Sequence, residues 1–309
     1  MEDHKLKVFC TVAETKSFSK TSQIIHLTQP AVSLQIQALE ELYETKLFDR
    51  SNSSINLTSA GEVLYRYSKD ILTLYAELEK EISQITGLNK GRITIGASTT
   101  IGNYVLPNVV ADFKKIHPKI KINILIGNTK KVLDLLNAGV VCFGLVEGET
   151  SKNKIKVEPM LSDELVFILP ATHPWAKRKA ISLHEITREP FIIREEGSGT
   201  RQIVENYLIS HGVKTSDLQI VLVLGGTESI KEAVESGMGI ALVSRWAVRK
   251  ELKYGILKYV IAKEARILRD FSLILPKNAV VSHAVDEFLS YLRLYPYNVL
   301  LSDLTPTAS

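Results

Sequence analysis

Cysteine, tryptophan and long apolar runs are all scarce in this chain. Its 309 residues include two cysteines and two tryptophans. Cys10 and Cys142 both stand in apolar stretches, so we expect buried, reduced thiols and no disulfide framework. No apolar run approaches the roughly 18 residues of a membrane helix, and the opening MEDHKLK has no signal-peptide pattern. These absences predict a cytoplasmic protein that does not contact a membrane. The length of 309 residues leaves room for about two to three domains.

The motifs of common enzyme classes are also absent. GSGTRQ, residues 197–202, lacks the Lys-Ser/Thr ending of a P-loop and the third glycine of a dinucleotide fingerprint. Ser198 does not stand in a G-x-S-x-G elbow. His184-Glu185 lacks the second histidine of H-E-x-x-H, and the seven histidines form no cluster that could hold zinc. We therefore expect no catalytic residue, no metal site and no cofactor.

What the chain does have is a helix pattern with two unlike faces in LTQPAVSLQIQALEEL, residues 27–42. A core-facing stripe is formed by Val32, Ile36, Leu39 and Tyr43. Thr28 and Pro30 are favoured at a helix start. The polar positions of the neighbouring face, each four residues apart, are Gln29, Ser33 and Gln37. Amide and hydroxyl side chains suit the edges of bases. The alternative is an ordinary amphipathic helix whose polar face is solvated.

The flanking residues favour DNA recognition. An apolar stripe from Leu6 to Phe18 predicts a first helix, and Ser19 is expected to cap a second that ends near His26. Two short helices joined by a tight turn form a helix-turn-helix. A polar stretch after Arg50 and a return strand at 55–57 would then form a wing. The sequence thus predicts a winged helix-turn-helix domain over residues 1–58.

The segment after the wing carries a seven-residue repeat. Ser59 and Glu62 fit a capping box at a helix start. The repeat consists of Leu64, Ile71, Leu78 and Ile85, with Tyr67 and Leu74 at intermediate positions. A helix from about 59 to 86 would be roughly 40 Å long and would pair with a second copy, as a linker over 59–90. The alternative is a long surface helix that covers the second domain.

The part of the chain that is predicted to bind DNA carries a net negative charge. Residues 1–90 hold 10 Lys and Arg against 12 Asp and Glu, whereas the remaining residues hold 28 against 22. Phosphate contacts normally dominate affinity for DNA, so one such module should bind weakly unless two or more are linked. The charge pattern therefore favours a dimer.

Together these stretches resemble the LysR-type transcription regulators of bacteria. The resemblance is carried by FCTVAETKSFSKTSQIIHLTQPAVSLQIQALEELYETKLFDR and by LTSAGEVLY. It implies an N-terminal all-α winged helix-turn-helix with a linker helix, and a C-terminal α/β effector domain of the two-lobed periplasmic-binding-protein type. It also implies a homodimer or homotetramer on double-stranded promoter DNA, with RNA polymerase as a further candidate partner. The expected DNA-binding residues are Ser19, Thr28, Gln29, Pro30, Ser33, Gln37 and Arg50.

From Arg92 onward strand and helix patterns alternate, which indicates parallel sheets covered on both faces. The resemblance places the effector domain at 91–303. Chain crossings near Asp163 and near 266–271 would give a first lobe, 92–163 with 268–300, and a second lobe, 164–267. In such folds ligands lie at the carboxyl ends of the strands.

Several of these strand ends carry hydroxyl groups directly before a helix, as in GASTTIGN and REEGSGTRQIV. Helix N-termini suit small anions, and Arg201 could add a bidentate charge. The alternative is a turn followed by a capped helix, and Glu147 at another strand end would repel an anion unless paired or turned away. The candidate effector-binding residues are Ser98, Thr99, Thr100, Asn128, Ser198, Gly199, Thr200, Arg201 and Thr227.

Within the family, TIGNYVLP and GSGTR resemble the members that sense sulfur oxyanions and regulate cysteine biosynthesis. That likeness implies that Ser98, Thr100, Ser198 or Thr200 would ligate an anion, either an inorganic oxyanion or a small carboxylate. The predicted function is a sequence-specific DNA-binding transcription regulator controlled by a small effector between two lobes. The alternative is a solute-binding or transport receptor of the same two-lobed fold, which would leave the 90 N-terminal residues unexplained.

Overall fold

The structure is a computed structural model that describes residues 4–25, 27–49, 55–86, 91–148, 150, 155–277 and 281–297. Its N-terminal elements are α1 (His4–Thr15), α2 (Phe18–Ile24), α3 (Gln29–Leu42), β1 (Phe48–Asp49), β2 (Asn56–Leu57) and α4 (Ser59–Thr86). β1 and β2 pair antiparallel. This order confirms the predicted helix-turn-helix, hairpin and long helix. Within the described residues, no helix has both the length and the apolar character needed to cross a membrane.

The second helix starts earlier than expected. Ser17, and not Ser19, is the N-cap of α2, and its side chain accepts a hydrogen bond from the backbone N–H of Lys20 at 3.1 Å. Phe18 is buried against the N-terminal core as the first helical residue. Since α2 begins at Phe18, Ser19 is already its second helical residue and cannot be the N-cap. The side chain of Phe18 faces the core, whereas Ser19 is exposed.

The start of α4 is also shifted. Thr58, and not Ser59, supplies the capping hydroxyl, which accepts a hydrogen bond from the backbone N–H of Gly61 at 3.0 Å. The same hydroxyl donates to the backbone carbonyl of Lys46 at 2.7 Å. Thr58 can do both because it follows β2 directly and lies beside the segment that leads into β1.

One face of each N-terminal helix forms a common core. The buried members are Leu6, Val8, Phe9, Cys10, Val12, Phe18, Val32, Ile36, Leu39, Leu47 and Phe48. The predicted apolar stripe of α3 is therefore confirmed at Val32, Ile36 and Leu39, whereas Tyr43 lies just past the end of the helix and is half exposed. Packing this stripe inward turns the opposite face of α3 to solvent.

The apolar stripe of α4 differs in part from the predicted repeat. Leu64 packs against the N-terminal core, so it does not belong to an exposed seam. The large apolar side chains that α4 exposes are Val63, Tyr67, Ile71, Leu74, Leu78 and Ile82. These positions recur every three or four residues and therefore form one continuous stripe. The side chain of Ile85 lies outside those that the structure describes.

The C-terminal part is built on one large mixed sheet. Its strands are β3 (Gly91–Ser98), β4 (Ile120–Gly127), β5 (Phe143–Glu147), β6 (Ile155–Pro170), β7 (Ala180–Ile181), β8 (Pro190–Arg194), β9 (Gln219–Leu224), β10 (Ile240–Ser244), β11 (Leu257–Ala262) and β12 (Ile267–Pro276). Its helices are α5 (Leu106–Ile116), α6 (Thr129–Asn137), α7 (Leu183–Ile186), α8 (Gly199–Ser210), α9 (Thr227–Glu235), α10 (Arg249–Lys253) and α11 (His283–Leu294), with a π-helical turn at Ile101–Val105.

The main path of the sheet runs β4-β3-β5-β12-β6-β10-β8-β9. β3, β4 and β5 pair in parallel, as do β8, β9 and β10. β6 and β12 pair antiparallel, which corrects the expectation of purely parallel sheets. The chain crosses from one half to the other along β6 and returns along β12, so these two strands must run in opposite directions.

Two groups of buried side chains lie on either side of this crossing. The first packs β3, β5, α5 and α11 together around Phe113, Phe143 and Phe288. The second packs β6, β8 and α8 around Phe167 and Phe191. β12 contributes buried side chains to both groups, whereas β6 contributes buried side chains to the second and only the half-buried Met160 and Leu161 to the first, as expected of a two-lobed fold. At the crossing Asp163 and Arg269 are direct register partners.

Candidate functional site

The N-terminal half of α3 presents most of the predicted DNA-binding residues. Thr28 caps the helix and accepts a hydrogen bond from the backbone N–H of Ala31 at 3.3 Å. Gln29, Pro30 and Gln37 are exposed, and Ser33 is half-buried. Arg50 and residues 51–54, which were predicted to form part of the wing, lie outside the described residues. Gln29, Ser33 and Gln37, which the sequence predicted to share one polar face of α3, do lie on a common face of the helix.

Gln37 has a partner on its own helix. Its Nε2 donates to Oε1 of Glu41 at 2.8 Å, one helical turn further on. In this contact the amide nitrogen of Gln37 is engaged, and its amide oxygen can accept a hydrogen bond from another group. Both side chains are exposed, so this contact competes with water.

A buried polar cluster joins the two lobes. We call it the inter-lobe cluster, and it consists of Ser98, Thr100, Glu147, Thr200 and Arg269, each at most 5% exposed. The Ser98 hydroxyl donates to Oε2 of Glu147. The Thr100 and Thr200 hydroxyls approach Oε1 of the same carboxylate at 3.3 and 3.4 Å. Hydroxyls from both lobes therefore converge on one carboxylate. Glu147, which was expected to repel an anion unless it was paired or turned away, is thus paired with hydroxyl groups.

Arg269 provides the positive charge of this cluster. Its Nη1 donates to the Thr200 hydroxyl at 2.8 Å and lies 3.8 Å from Oε1 of Glu147. Its Nε donates to Oδ2 of Asp163 at 2.7 Å, and Asp163 also accepts from the Ser244 hydroxyl at 2.8 Å. Burial raises the pKa of Asp163, although the charge of Arg269 acts against that shift. The site thus holds two carboxylates and one guanidinium away from water.

A second buried arginine lies beside this cluster, at the end of β8. Nη1 of Arg194 donates to the Thr99 hydroxyl at 3.1 Å and to the Thr227 hydroxyl at 3.4 Å. Its Nε donates to Oε2 of Glu195 at 2.7 Å. Burial would raise the pKa of Glu195, but the hydrogen bonds and the charge of Arg194 outweigh it and hold that pKa below its ordinary value. Thr99 and Thr227 are therefore brought together by Arg194.

Two predicted residues act first as helix caps. The Asn128 side chain accepts from the backbone N–H of Lys131 at 2.9 Å, and its Nδ2 donates across the cleft to Oε1 of Glu195 at 3.2 Å. The Ser198 hydroxyl accepts from the backbone N–H of Arg201 at 3.3 Å. For Ser198 the capping alternative is the geometry observed, whereas Asn128 caps a helix and also contacts the other lobe.

Arg201, predicted to supply the charge of an anion site, makes its described hydrogen bonds to groups of the protein itself. Its Nε donates to Oε1 of Glu205 at 2.8 Å, one turn along α8. It borders an open cleft of about 410 Å³ between the N-terminal ends of α6 and α8. The cleft is lined by Thr129, Lys130, Leu133, Glu196, Gly197, Ser198, Gly199, Arg201, Gln202 and Glu205. Arg201 also donates through Nη1 to the backbone carbonyl of Arg194 at 3.3 Å, and none of its described hydrogen bonds reaches the inter-lobe cluster.

The lobes also meet at a further contact that the sequence did not suggest. The Tyr104 hydroxyl, on the π-helical turn, donates to Oε1 of Glu228 on α9. Lys231 is 6% exposed, and its Nζ lies 2.9 Å from Glu228 and 2.6 Å from Glu251. Burial, with the hydrogen bond to Glu228, raises the pKa of Tyr104, so this hydroxyl keeps its proton and donates.

Sequence reasoning missed Arg194 and Arg269, which carry the buried positive charge. A signal existed for Arg269, because in ILRDFSLILP it alternates with the buried Ile267 and Phe271. A charge on the buried side of a strand requires a partner nearby. The sequence could not identify that partner, since Asp163 lies 106 positions earlier in the chain.

Two family profiles match the chain. Residues 4–62 match the bacterial regulatory helix-turn-helix proteins of the lysR family, and residues 86–295 match the LysR substrate binding domain. The chain is 36% identical over 247 residues to the HTH-type transcriptional regulator CysL of Bacillus subtilis, covering 80% of this chain and 82% of CysL.

Solved structures agree in fold. The CcmR regulatory domain of Synechocystis PCC6803, in complex with 2-PG, superposes with a TM-score of 0.61 at 27% identity, over 66% of this chain and 96% of that domain. A full-length OxyR variant of Pseudomonas aeruginosa gives a TM-score of 0.66 at 19% identity over 94% of each chain, and this likeness shows the fold alone. Of the two functions left open by the sequence, the regulator is supported and the solute receptor is not. The chain belongs to the LysR family of transcriptional regulators.

Proposed function

We propose that this regulator recognises promoter half-sites with the exposed face of α3 and is controlled by a small effector held between its two lobes. The observation that carries the DNA-reading role is the division of α3 into two faces. Val32, Ile36 and Leu39 are at most 2% exposed, whereas Gln29 and Gln37 point to solvent. Pro30 is tolerated in the first turn of α3, so the helix can begin there and present its N-terminal end to a major groove.

The exposed stripe on α4 supports assembly into homodimers, with a homotetramer as a further arrangement. Val63, Tyr67, Leu74, Leu78 and Ile82 are each at least half exposed, which is costly for a helix that stays alone in water. The spacing of three and four residues suits pairing with the same helix of a second copy. Two copies would place two copies of α3 on one duplex.

For the effector we propose a small anion, either an inorganic oxyanion or a small carboxylate. The support is the convergence of hydroxyls from residues 98–100 and from Thr200 and Thr227, together with two buried guanidinium groups. The CcmR regulatory domain, 27% identical, is in complex with 2-PG, which supports a ligand site in a domain of this kind. We propose the residue boundaries 1–58, 59–90 and 91–303 for the DNA-binding, linker and effector parts, with lobes 92–163 with 268–300 and 164–267.

We further propose that the protein performs no catalysis and acts in the cytoplasm, where it meets promoter DNA and RNA polymerase. The polar groups between the lobes support this proposal. Each carboxylate there is bound by a hydroxyl or a guanidinium, an arrangement that holds two lobes together.

The DNA-reading proposal is tested with Gln29→Ala and Ser33→Ala in the full chain, against a duplex selected from a random pool by the unchanged protein. Each change should cost about 1–3 kcal/mol on the selected duplex and much less on unrelated DNA. Gln23→Ala, an exposed glutamine on α2, is the matched control and should leave both affinities unchanged. Equal losses on both duplexes for Gln29→Ala would rule out a base-reading role.

A further inference from the structure

The donors of the inter-lobe cluster are already engaged by the protein itself. A hydroxyl has one hydrogen to donate. Ser98, Thr100 and Thr200 all approach the carboxylate of Glu147, two of them from one lobe and the third from the other. Glu147 is 1% exposed, so water does not compete for these contacts. Glu147 thus receives the same hydrogen bonds that an anionic effector would need.

The charges of the cluster also disfavour an added anion while the Glu147 carboxylate is in place. Arg269 lies 2.7 Å from Asp163 and 3.8 Å from Glu147, so one guanidinium faces two carboxylates. Adding a further anion would bring a third negative charge into a space closed to water, where like charges repel strongly. An anion can enter at low cost only if the carboxylate of Glu147 leaves.

The backbone places Glu147 so that its release would affect both lobes. Its carbonyl accepts a hydrogen bond from the Thr129 hydroxyl at 2.8 Å and lies against Gly199, the first residue of α8. Glu147 ends β5 in one lobe, while Thr200 is the second residue of α8 in the other. The side chain therefore ties the end of one lobe's strand to the start of the other lobe's helix.

We propose that Glu147 is an internal ligand of the inter-lobe cluster: its carboxylate holds the lobes together in the absence of effector, and a small carboxylate or oxyanion binds there by displacing it. This inference rests on the proposed function, because it concerns how the effector site of the regulator is controlled. Binding of an anion is then coupled to the swing of Glu147, and the regulator changes state only when that side chain is replaced.

The test uses the full chain and the Glu147→Ala variant, with sodium acetate and sodium sulfate as probes and sodium chloride at equal ionic strength as the reference. Without a probe the variant should melt at a lower temperature than the unchanged protein, because the hydroxyls and Arg269 lose their acceptor. Acetate or sulfate should raise the Tm of the variant and bind it on the order of tenfold more tightly than the unchanged protein. Adding Thr200→Val to the variant should remove that gain.

The matched control is Asp270→Ala. Asp270 lies next to Arg269 on β12, accepts a hydrogen bond from the Ser162 hydroxyl at 3.1 Å, and is exposed. Removing its carboxylate should leave the response to acetate and sulfate unchanged. If Glu147→Ala does not fold, Glu147→Gln keeps the volume and removes the charge, and the same probes should raise its Tm more than that of the unchanged protein.

Two results would overturn the proposal. The first is that the unchanged protein binds acetate and sulfate as tightly as the folded variants do. The second is that the folded variant, whether Glu147→Ala or Glu147→Gln, gains no response to either anion beyond that to chloride. Binding of the unchanged protein to its selected duplex is measured separately. If that binding is specific while the anion response fails, only the role of Glu147 falls, whereas loss of specific DNA binding concerns the proposed function.

Discussion

Gly199 packs directly against the backbone carbonyl of Glu147, and a Cβ at position 199 would lie 1.9 Å from that carbonyl oxygen. The two residues belong to different lobes, at the start of α8 and at the end of β5. The lobes can therefore meet backbone to backbone because position 199 has no side chain. This contact brings Thr200, the next residue, within reach of the Glu147 carboxylate.

Gly199→Ala should force the lobes apart at this contact. The added methyl group would overlap backbone, which cannot rotate out of the way, so we expect a loss of about 1–3 kcal/mol in the free energy of unfolding. Hydrogen exchange should rise at the end of β5 and the start of α8. Gly225→Ala is the control, because a Cβ there meets nothing within 4 Å. Equal exchange in both variants would show that the contact does not hold the lobes.

The sequence predicted the order of elements well, because local patterns determine it. The apolar stripe of α3, the hairpin and the long helix follow from spacing that a single helix or strand sets by itself. Hydroxyls at residues 98–100, 200 and 227 were also predicted to lie at the ends of strands. What they contact was not predictable, because Thr99 meets Arg194 from 95 positions away.

The linker helix shows the same limit in another form. Leu64 and Ile71 fit one seven-residue repeat, but Leu64 packs against the N-terminal core and Ile71 remains 39% exposed. A helix that contacts its own domain on one side and a second copy on another carries two overlapping apolar stripes. Periodicity in one sequence does not separate them, whereas the packing of α1 against α4 does.

Ile71→Asp combined with Leu78→Asp should convert the protein to monomers. Both side chains lie on the exposed stripe of α4, so the changes should not disturb the described cores. Pairing two helices would bury these charges without partners, which is strongly unfavourable. Sedimentation velocity gives the mass of the species in solution. Tyr254→Asp, at a tyrosine that is 72% exposed on another part of the molecule, should leave the assembly intact.

The same double variant should also bind operator DNA more weakly, because it no longer forms dimers. A single helix-turn-helix with few positive charges has a low affinity for DNA. A double variant that stays dimeric in sedimentation would contradict pairing through this stripe. A monomeric unchanged protein at micromolar concentration would contradict it as well.

Acid should loosen the contact between Glu195 and Arg194. The pKa of Glu195 is held below its ordinary value of 4.5 by Arg194, although burial acts in the opposite direction. A carboxylate whose pKa is lowered in the folded state stabilises the fold above its unfolded pKa, and that stabilisation is lost as the pH falls through the folded pKa. Glu195→Gln should therefore melt below the unchanged protein at pH 7, and the difference should shrink below about pH 4.5.

The measurement is the Tm of both proteins between about pH 7 and pH 3.5, which spans the ordinary titration range of a glutamate. Glu196→Gln changes the exposed neighbour and serves as the matched control, whose profile should follow that of the unchanged protein. A difference between Glu195→Gln and the unchanged protein that stays constant with pH would show that Arg194 does not hold this carboxylate.

Binding to DNA should depend strongly on two half-sites. Residues 1–90 hold 10 basic and 12 acidic residues, so one copy gains little from phosphate attraction. A linked second copy acts at a high effective concentration, and a duplex with two half-sites should bind roughly 10²–10⁴ times more tightly than a duplex with one. Moving the half-sites apart by about half a helical turn places them on opposite faces of the duplex and should lower the affinity towards that of a single site.

Fluorescence anisotropy at two salt concentrations measures the affinity for all three duplexes. Tight binding to a single half-site at physiological salt would show that the N-terminal charge does not limit affinity, because the base contacts of α3 would then suffice by themselves.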